Sequence, residues 1–278
     1  MRDVYNNKSK YSELTQGSII RGCVADGYEN CDVYGCVITA RCDLAQSKVG
    51  VVHYLPVVSF EDWLKREIIG ELRQEWIRNK KKMVVDKLKA KKMPETFIDR
   101  NLSRTQIQSS IEANFKSRKE ITSFMEAYDN WINSCECQAK DVLIDPAAEG
   151  LLKQYLDLLI NHGKSEWYMI ENWHNNIKNQ KFNIILLREI KEITIDCANK
   201  LVDGIAEDEL SADFFDKNML VKTKTRESLY YVESEIKSPY IEHILQRFTS
   251  NFARIGLDDI PKVEITKQLI EYSKKVLK

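Results

Sequence analysis

GSIIRGCVAD (residues 17–26), VYGCVITARCDL (33–44) and VGVVHYLPVV (49–58) are three short runs rich in Val and Ile, separated by Gly, Asn and Asp. Apolar runs broken by turn-forming residues are the pattern of successive strands joined by tight connections. Cys36, Val37, Ile38 and Thr39 form a nearly continuous apolar run, as a central buried strand would. Pro56 is expected near the end of the third strand, where a missing amide donor is tolerated. Three strands enclose little core, so further strands are expected from elsewhere in the chain.

Beyond residue 58 the pattern turns helical. Ser59 or Asp62 can cap, and Trp63, Ile68, Ile69, Leu72, Trp76, Ile77, Val84 and Leu88 recur at helical spacing, which predicts a helix to about Met93, where Pro94 stops it. Residues 95–130 carry a second helical stretch, and the two predict an antiparallel hairpin. Asp145-Pro146 starts a further helix that Gly163 ends. EWYMI (166–170) and FNIILLREI (182–190) read as strands, or as a strand plus the start of a buried helix; LYYVESEI (229–236) could be a strand, and IKEITIDCANKLVDGI (190–205) reads as helical. Ser238-Pro239 opens a helix ending near Ile255-Gly256, and a last helix is expected over 262–277. The expected fold class is therefore α+β: a small β-barrel module (17–60), a long basic helical hairpin (61–130) and a mostly helical C-terminal part (131–278) that can complete the barrel.

The composition narrows the functional classes. Lys plus Arg (42) equal Asp plus Glu (42), so no global charge announces a nucleic acid or membrane partner, and electrostatic partners must be sought in local patches. No window approaches the 18 or so apolar residues that a membrane span needs. MRDVYNNKSKYSELTQ at the N-terminus has no apolar core, so a secretory signal is not expected. Seven cysteines at irregular spacings are read as reduced thiols in a cytoplasmic compartment. Cys31 and Cys36 alone approach zinc-knuckle spacing, and Cys36 is locked in a strand, so no metal and no cofactor is expected. A phosphate loop, a dinucleotide fingerprint, HExxH and GxSxG are all lacking from the sequence.

Two clusters could carry chemistry. The first is Thr39-Ala40-Arg41-Cys42-Asp43-Leu44, at the end of the most buried predicted strand. Arg41 could favour the Cys42 thiolate. Equally, Cys42 could plug the barrel end while Asp43 caps a turn. Nucleophilic catalysis by Cys42 requires a base, and His53, His162, His174 and His243 are the histidines available. The second cluster is the basic helix, where Arg78, Lys80, Lys81, Lys82, Lys87, Lys89, Lys91 and Lys92 face one acid, Asp86. Such a helix could track a phosphate backbone or an acidic partner. It could equally be a solvated face balanced by acids elsewhere, the run Asp203 to Asp216 among them. In SPYIEHILQRFTSNFARIGLDD (238–259) the stripe Tyr240, Ile244, Phe248, Phe252 and Ile255 is a core face, with His243 beside it.

The strand followed by Thr39 to Leu44 resembles the T/S-x-x-C-D-L hallmark of a loosely described group of uncharacterised bacterial proteins. Ser238 to Leu257 is similar to that group's C-terminal hallmark, S-P-Y-x-E-H-x-x-Q-x-F-x-x-x-F-x-R-I-G-L. Ala40 stands where the group commonly has Gln. Members of such groups sit in mobile gene islands, including anti-phage defence loci, so the resemblance implies a component of a bacterial defence or conflict system. The first module also looks like the SH3-like barrel of the PemK/MazF toxin endoribonucleases, on Gly17 to Ile20, Gly35 to Thr39 and the Val-rich third strand. Ser18 replaces an Asp of that family, and Tyr34-Gly35 stands where it has Arg-Pro. By position, Arg21 and Thr39 would be the residues to suspect there, with Arg41 a further basic candidate.

The primary expectation is a component that binds a partner protein from the same gene neighbourhood, or nucleic acid, without membrane association; a homo-oligomer is compatible with it. Two alternatives stay open. One is an RNA-cleaving barrel using Arg21, Thr39 and either Cys42 or Asp43. The other is a thiol enzyme centred on Cys42.

Overall fold

A computed structural model describes residues 4–6, 13–46, 48–100, 102–138, 142, 145–171, 173, 182–206, 209, 211, 214 and 229–253. The expected helix over 262–277 and His174 lie outside these residues. The elements in chain order begin with β1 (Tyr5–Asn6), β2 (Ser18–Arg21), β3 (Tyr34–Val37), α1 (Arg41–Ala45) and β4 (Val51–Ser59). One long helix follows: α2 (Phe60–Trp63), a π-helical turn over Leu64–Ile68, and α3 (Ile69–Ala90). Then come α4 (Arg104–Asn114), α5 (Arg118–Glu136), α6 (Pro146–Ile160), β5 (Trp167–Glu171), β6 (Phe182–Leu186), β7 (Lys191–Thr194) and α7 (Ile195–Asp203). The remaining elements are β8 (Ile205–Ala206), β9 (Leu229–Tyr230), β10 (Val232–Ile236) and α8 (Tyr240–Ala253).

The chain is mixed α/β, with an antiparallel sheet curled into a half-barrel and helices around it. Strand order is β1-β10-β2-β3-β4-β6-β5, with β7 also on β4, while β8 and β9 form a separate pair. The strands expected from elsewhere thus come from residues 167–236, and both ends of the chain contribute to one sheet. Gly17 makes this junction possible. Its N–H donates to the Val37 carbonyl and its own carbonyl accepts from Ile236, at a φ of 94° that glycine adopts without cost.

β4 is the spine of the sheet. One edge pairs with β3, from Tyr34↔Val57 to Val37↔Tyr54. The other edge pairs first with β7, over Val51 to Tyr54, and then with β6, over Val57 to Ser59. Pro56 lies inside β4 instead of near its end, and it falls in the gap between those two partners, where that edge has no ladder to maintain. KEIT (191–194) is likewise a strand where helix was expected. β-Branched Ile193 and Thr194 complete an edge of β4 that would otherwise be open, and Thr194 then caps α7 through the Cys197 N–H.

Neighbouring residues separate to opposite faces of the sheet, as the pleat requires. Ile20, Val37, Tyr54 and Val58 enter a core with Trp63, Trp76 and Leu72 from the long helix and with α7. Ile19, Cys36, Leu55 and Val57 enter a second core closed by Ile241, Ile244 and Phe248 of α8. Burial on both faces is why the strands read as continuous apolar runs.

A third core joins the far half of α3 to α4 and α5, through Val84, Leu88, Ile107, Ile111, Phe124 and Tyr128. α5 runs antiparallel to α3: Lys91 meets Glu120, Lys87 meets Ser123, and Arg73 bonds the carbonyls of Cys135 and Cys137. The expected single stretch over 95–130 is two helices, because Ser103 and Ser117 each cap a fresh start. After α6, the left-handed residue is His162 (φ 54°) and not Gly163. Among the described residues no helix is long and apolar enough to cross a membrane.

Candidate functional site

α1 follows the end of β3 and presents the cluster read from the sequence. The Thr39 hydroxyl accepts the His53 N–H at 2.8 Å, which pins the end of β3 to β4. Leu44 is buried and anchors the short helix, leaving Arg41 and Cys42 exposed and Asp43 half-buried. The Cys42 thiol donates to the Asp43 carboxylate at 3.6 Å. Among the described residues no histidine is hydrogen-bonded to Cys42. His53 faces Glu192 at 3.8 Å, and His243 shares a 2.9 Å hydrogen bond with the Tyr168 hydroxyl beside His162. A base for a Cys42 nucleophile is therefore not assembled from these side chains.

Arg21 and Thr39 are not brought together. Arg21 pairs with Tyr34 at one end of β3, while Thr39 lies beyond its other end, so the length of that strand separates them. The Arg21 guanidinium lies 3.9 Å from the carboxylate of Glu233, whose side chain is only 1% exposed. That carboxylate also accepts the Trp173 indole N–H at 2.6 Å. Arg21 thus compensates a buried charge between β2 and β10.

The two motif segments, by contrast, do meet. Arg41 of α1 lies 3.8 Å from Glu242 in the first turn of α8, with both side chains about half exposed (47% and 51%). Beside them, a cleft of about 540 Å³ opens between residues 13–15, α1 and α7, lined by Glu13, Arg41, Leu44, Ile195, Asn199 and Asp203. Its lining combines aliphatic side chains with charges of both signs, so it suits an amphipathic segment better than a polyanion. Sequence reasoning did not single out Glu242; its place beside His243 in the hallmark helix was the available signal.

The basic helix is largely answered by acids from within the chain. Lys80 pairs with Asp145 at 2.7 Å, Lys81 with Asp99 at 2.7 Å, Lys91 with Glu120 at 2.8 Å, Lys89 with Glu95 and Arg78 with Glu75. Lys87 donates to the Ser123 hydroxyl, and Lys80 and Lys81 lie over the rings of Trp76 and Trp131. Only Lys82 and Lys92 of the eight have no polar partner among the described residues. The balancing acids come from α3 itself (Glu75), from the segment that follows it (Glu95 and Asp99), from α5 (Glu120) and from the cap of α6 (Asp145); half of the run Asp203 to Asp216 lies outside the described residues.

No metal-holding cluster of His, Cys, Asp or Glu occurs among the described residues. Burial pushes the Cys36 and Cys197 thiols up to about 12, and Cys23 higher still, because a thiolate would lose its hydration there. Cys42 and Cys135 are exposed. In native protein near pH 8, a thiol reagent is therefore expected to label Cys42 and Cys135 first, and Cys23, Cys36 and Cys197 only on unfolding. Mass mapping of the labelled peptides checks this; early labelling of Cys36 would contradict the buried strand. Comparison with known proteins brings no match to any family model, to any curated protein or to any solved structure.

Proposed function

We propose that this chain is a binding component of a bacterial anti-phage defence or conflict system, engaging a partner protein encoded nearby. The surface used is the one where Thr39–Leu44 and the start of α8 meet. One observation carries the reading: the two segments that resemble the bacterial group, from opposite ends of the chain, come together at Arg41 and Glu242 beside an open cleft. An exposed ion pair of this kind is worth only about 0.2–1 kcal/mol to stability, so folding gives little reason for its position. In this reading residues 17–60 act as an SH3-like scaffold that holds α1 against α8; the consecutive antiparallel strands β2, β3 and β4 support that assignment.

A protein partner is favoured over nucleic acid at this surface because the cleft mixes acids with a single arginine. An RNA-cleaving reading is disfavoured by the separation of Arg21 from Thr39. The test is co-expression with the products of neighbouring genes, followed by quantitative binding. Arg41→Glu and Glu242→Arg are each expected to weaken the complex about tenfold, equivalent to ~1.4 kcal/mol, with the melting temperature nearly unchanged. A complex indifferent to both substitutions sinks the assigned surface. Growth arrest on overexpression, relieved by Arg21→Lys without loss of fold, would reinstate the ribonuclease reading.

A further inference from the structure

A second opening, of about 300 Å³, lies between α3 and the first two turns of α5. Lys87, Lys91, Phe115, Lys119, Glu120 and Ser123 line it. Two basic stretches far apart in sequence converge here, since Lys119 belongs to KSRK (116–119) and Lys87 and Lys91 to the basic helix. Lys91 is held by Glu120 at 2.8 Å and lies 5.4 Å from the Phe115 ring centre. Lys87 donates to the Ser123 oxygen at 2.8 Å, which leaves the hydroxyl hydrogen of Ser123 free to point elsewhere. Lys119 is exposed and has no hydrogen-bond or ionic partner among the described residues. The hydrogen bond from Lys91 holds the Glu120 carboxyl below its ordinary range, so the group is an anion at neutral pH.

Three ammonium groups against one carboxylate leave this pocket two positive charges in excess. Lys116 and Arg118, exposed neighbours of Lys119 in the chain, add to the field. We propose that the pocket binds a phosphate group. A phosphate dianion matches the excess charge and offers three acceptor oxygens. Lys87 and Lys119 supply point charges for two of them, and the Ser123 hydroxyl can donate to the third. Glu120 marks where an anion is already stable against Lys91, and it positions that lysine without filling the opening. The opening also has room for the sugar beside a phosphate. A mononucleotide's terminal phosphate supplies the full dianion and three oxygens, whereas a nucleic-acid backbone supplies one charge and two free oxygens per phosphate. The shared chemistry is a phosphate oxygen set against Lys87 and Lys119. The site is far in sequence from Arg41 and Glu242 and stands or falls separately from the partner-protein surface.

The test is a binding titration with inorganic phosphate, adenosine monophosphate and a short labelled RNA, each at low and moderate salt. Lys87→Gln and Lys119→Gln are each expected to weaken binding about tenfold. Glu120→Gln is expected to tighten it several-fold, a gain that misfolding would not produce. Lys82→Gln, which removes the same charge elsewhere on α3, is expected to change affinity less than twofold. Competition of the monophosphate against RNA identifies a terminal phosphate as the ligand. RNA binding without such competition, with the log–log salt slope reduced by about one in Lys119→Gln, identifies the backbone. Equal losses in Lys82→Gln and Lys119→Gln would show a diffuse attraction and overturn the proposal. So would failure of all three probes, or an acidic peptide binding as tightly as the phosphates.

Discussion

Replacing Trp63 by alanine is expected to destabilise the fold by about 3–5 kcal/mol, the usual range for emptying a buried tryptophan site. Trp63 is 1% exposed and sits where α2 leaves the end of β4. Its ring packs edge-on to Trp167 of β5 at 5.3 Å and against Phe60 at 5.4 Å. Removing it therefore opens the core at the point where the long helix, β4 and the β5–β6 pair are joined. For a chain of this size the loss corresponds to a fall in melting temperature of roughly 10 °C. Trp63→Phe is expected to cost much less. The phenyl ring keeps most of the aromatic contact, and the indole N–H it removes has no partner among the described residues. Thermal or denaturant unfolding of both variants checks this; equal losses would mean that the contact with Trp167 is not what holds the junction.

Gly17→Ala is expected to cost about 3 kcal/mol, from two sources that add at one position. The residue has φ 94°, which a side chain rarely tolerates, and an added Cβ would stand 2.8 Å from the backbone carbonyl oxygen of Ile236. That oxygen belongs to β10 and cannot withdraw without breaking the strand pairing between the two ends of the chain. Gly27 supplies an internal control. Its φ is 80°, yet an added Cβ would meet nothing within 4 Å, so Gly27→Ala is expected to show the conformational cost alone, about 1–2 kcal/mol. Denaturant midpoints of the two variants separate strain from clash. If Gly27→Ala loses as much as Gly17→Ala, the close approach of β10 to Gly17 contributes nothing.

Much of the architecture was legible because its signals are local. The runs at 17–58 declare strands through β-branched density broken by turn residues, and Trp63, Leu72, Trp76, Val84 and Leu88 declare a helix by spacing alone. Ser59 was a readable cap, and it accepts the Asp62 N–H. The signals failed where a neighbour decided. KEIT follows an apolar run and precedes an amphipathic helix, so periodicity extended the helix backwards; the open edge of β4 made it a strand. Pro56 looked terminal because proline disrupts ladders, and only the change of partner from β7 to β6 shows why the middle of β4 accepts it.

The candidate sites divide in the same way. Thr39–Leu44 could be picked out as a chemically capable cluster at a strand end, and the eight cations of the basic helix could be counted. What those charges face could not. Lys81 finds Asp99, 18 residues on, and Lys80 finds Asp145, 65 residues on, so a local excess that suggested a polyanion track is mostly neutralised within the fold. Lys119 was overlooked because KSRK is too short to stand out until α5 is laid beside Lys87 and Lys91.

By itself, then, the sequence determined the class of most described elements, with β1, α1, β7 and β8 the exceptions, the caps of the long helix and of α6, and the burial of its apolar runs, because propensity, periodicity and turn chemistry act over a few residues. The tertiary structure alone decided that strands from both ends of the chain share one sheet, that Arg41 meets Glu242, that Arg21 serves Glu233 instead of Thr39, and that two lysine stretches flank one opening. Those outcomes depend on strand register and helix packing between residues far apart along the chain, and no short stretch of sequence carries that information.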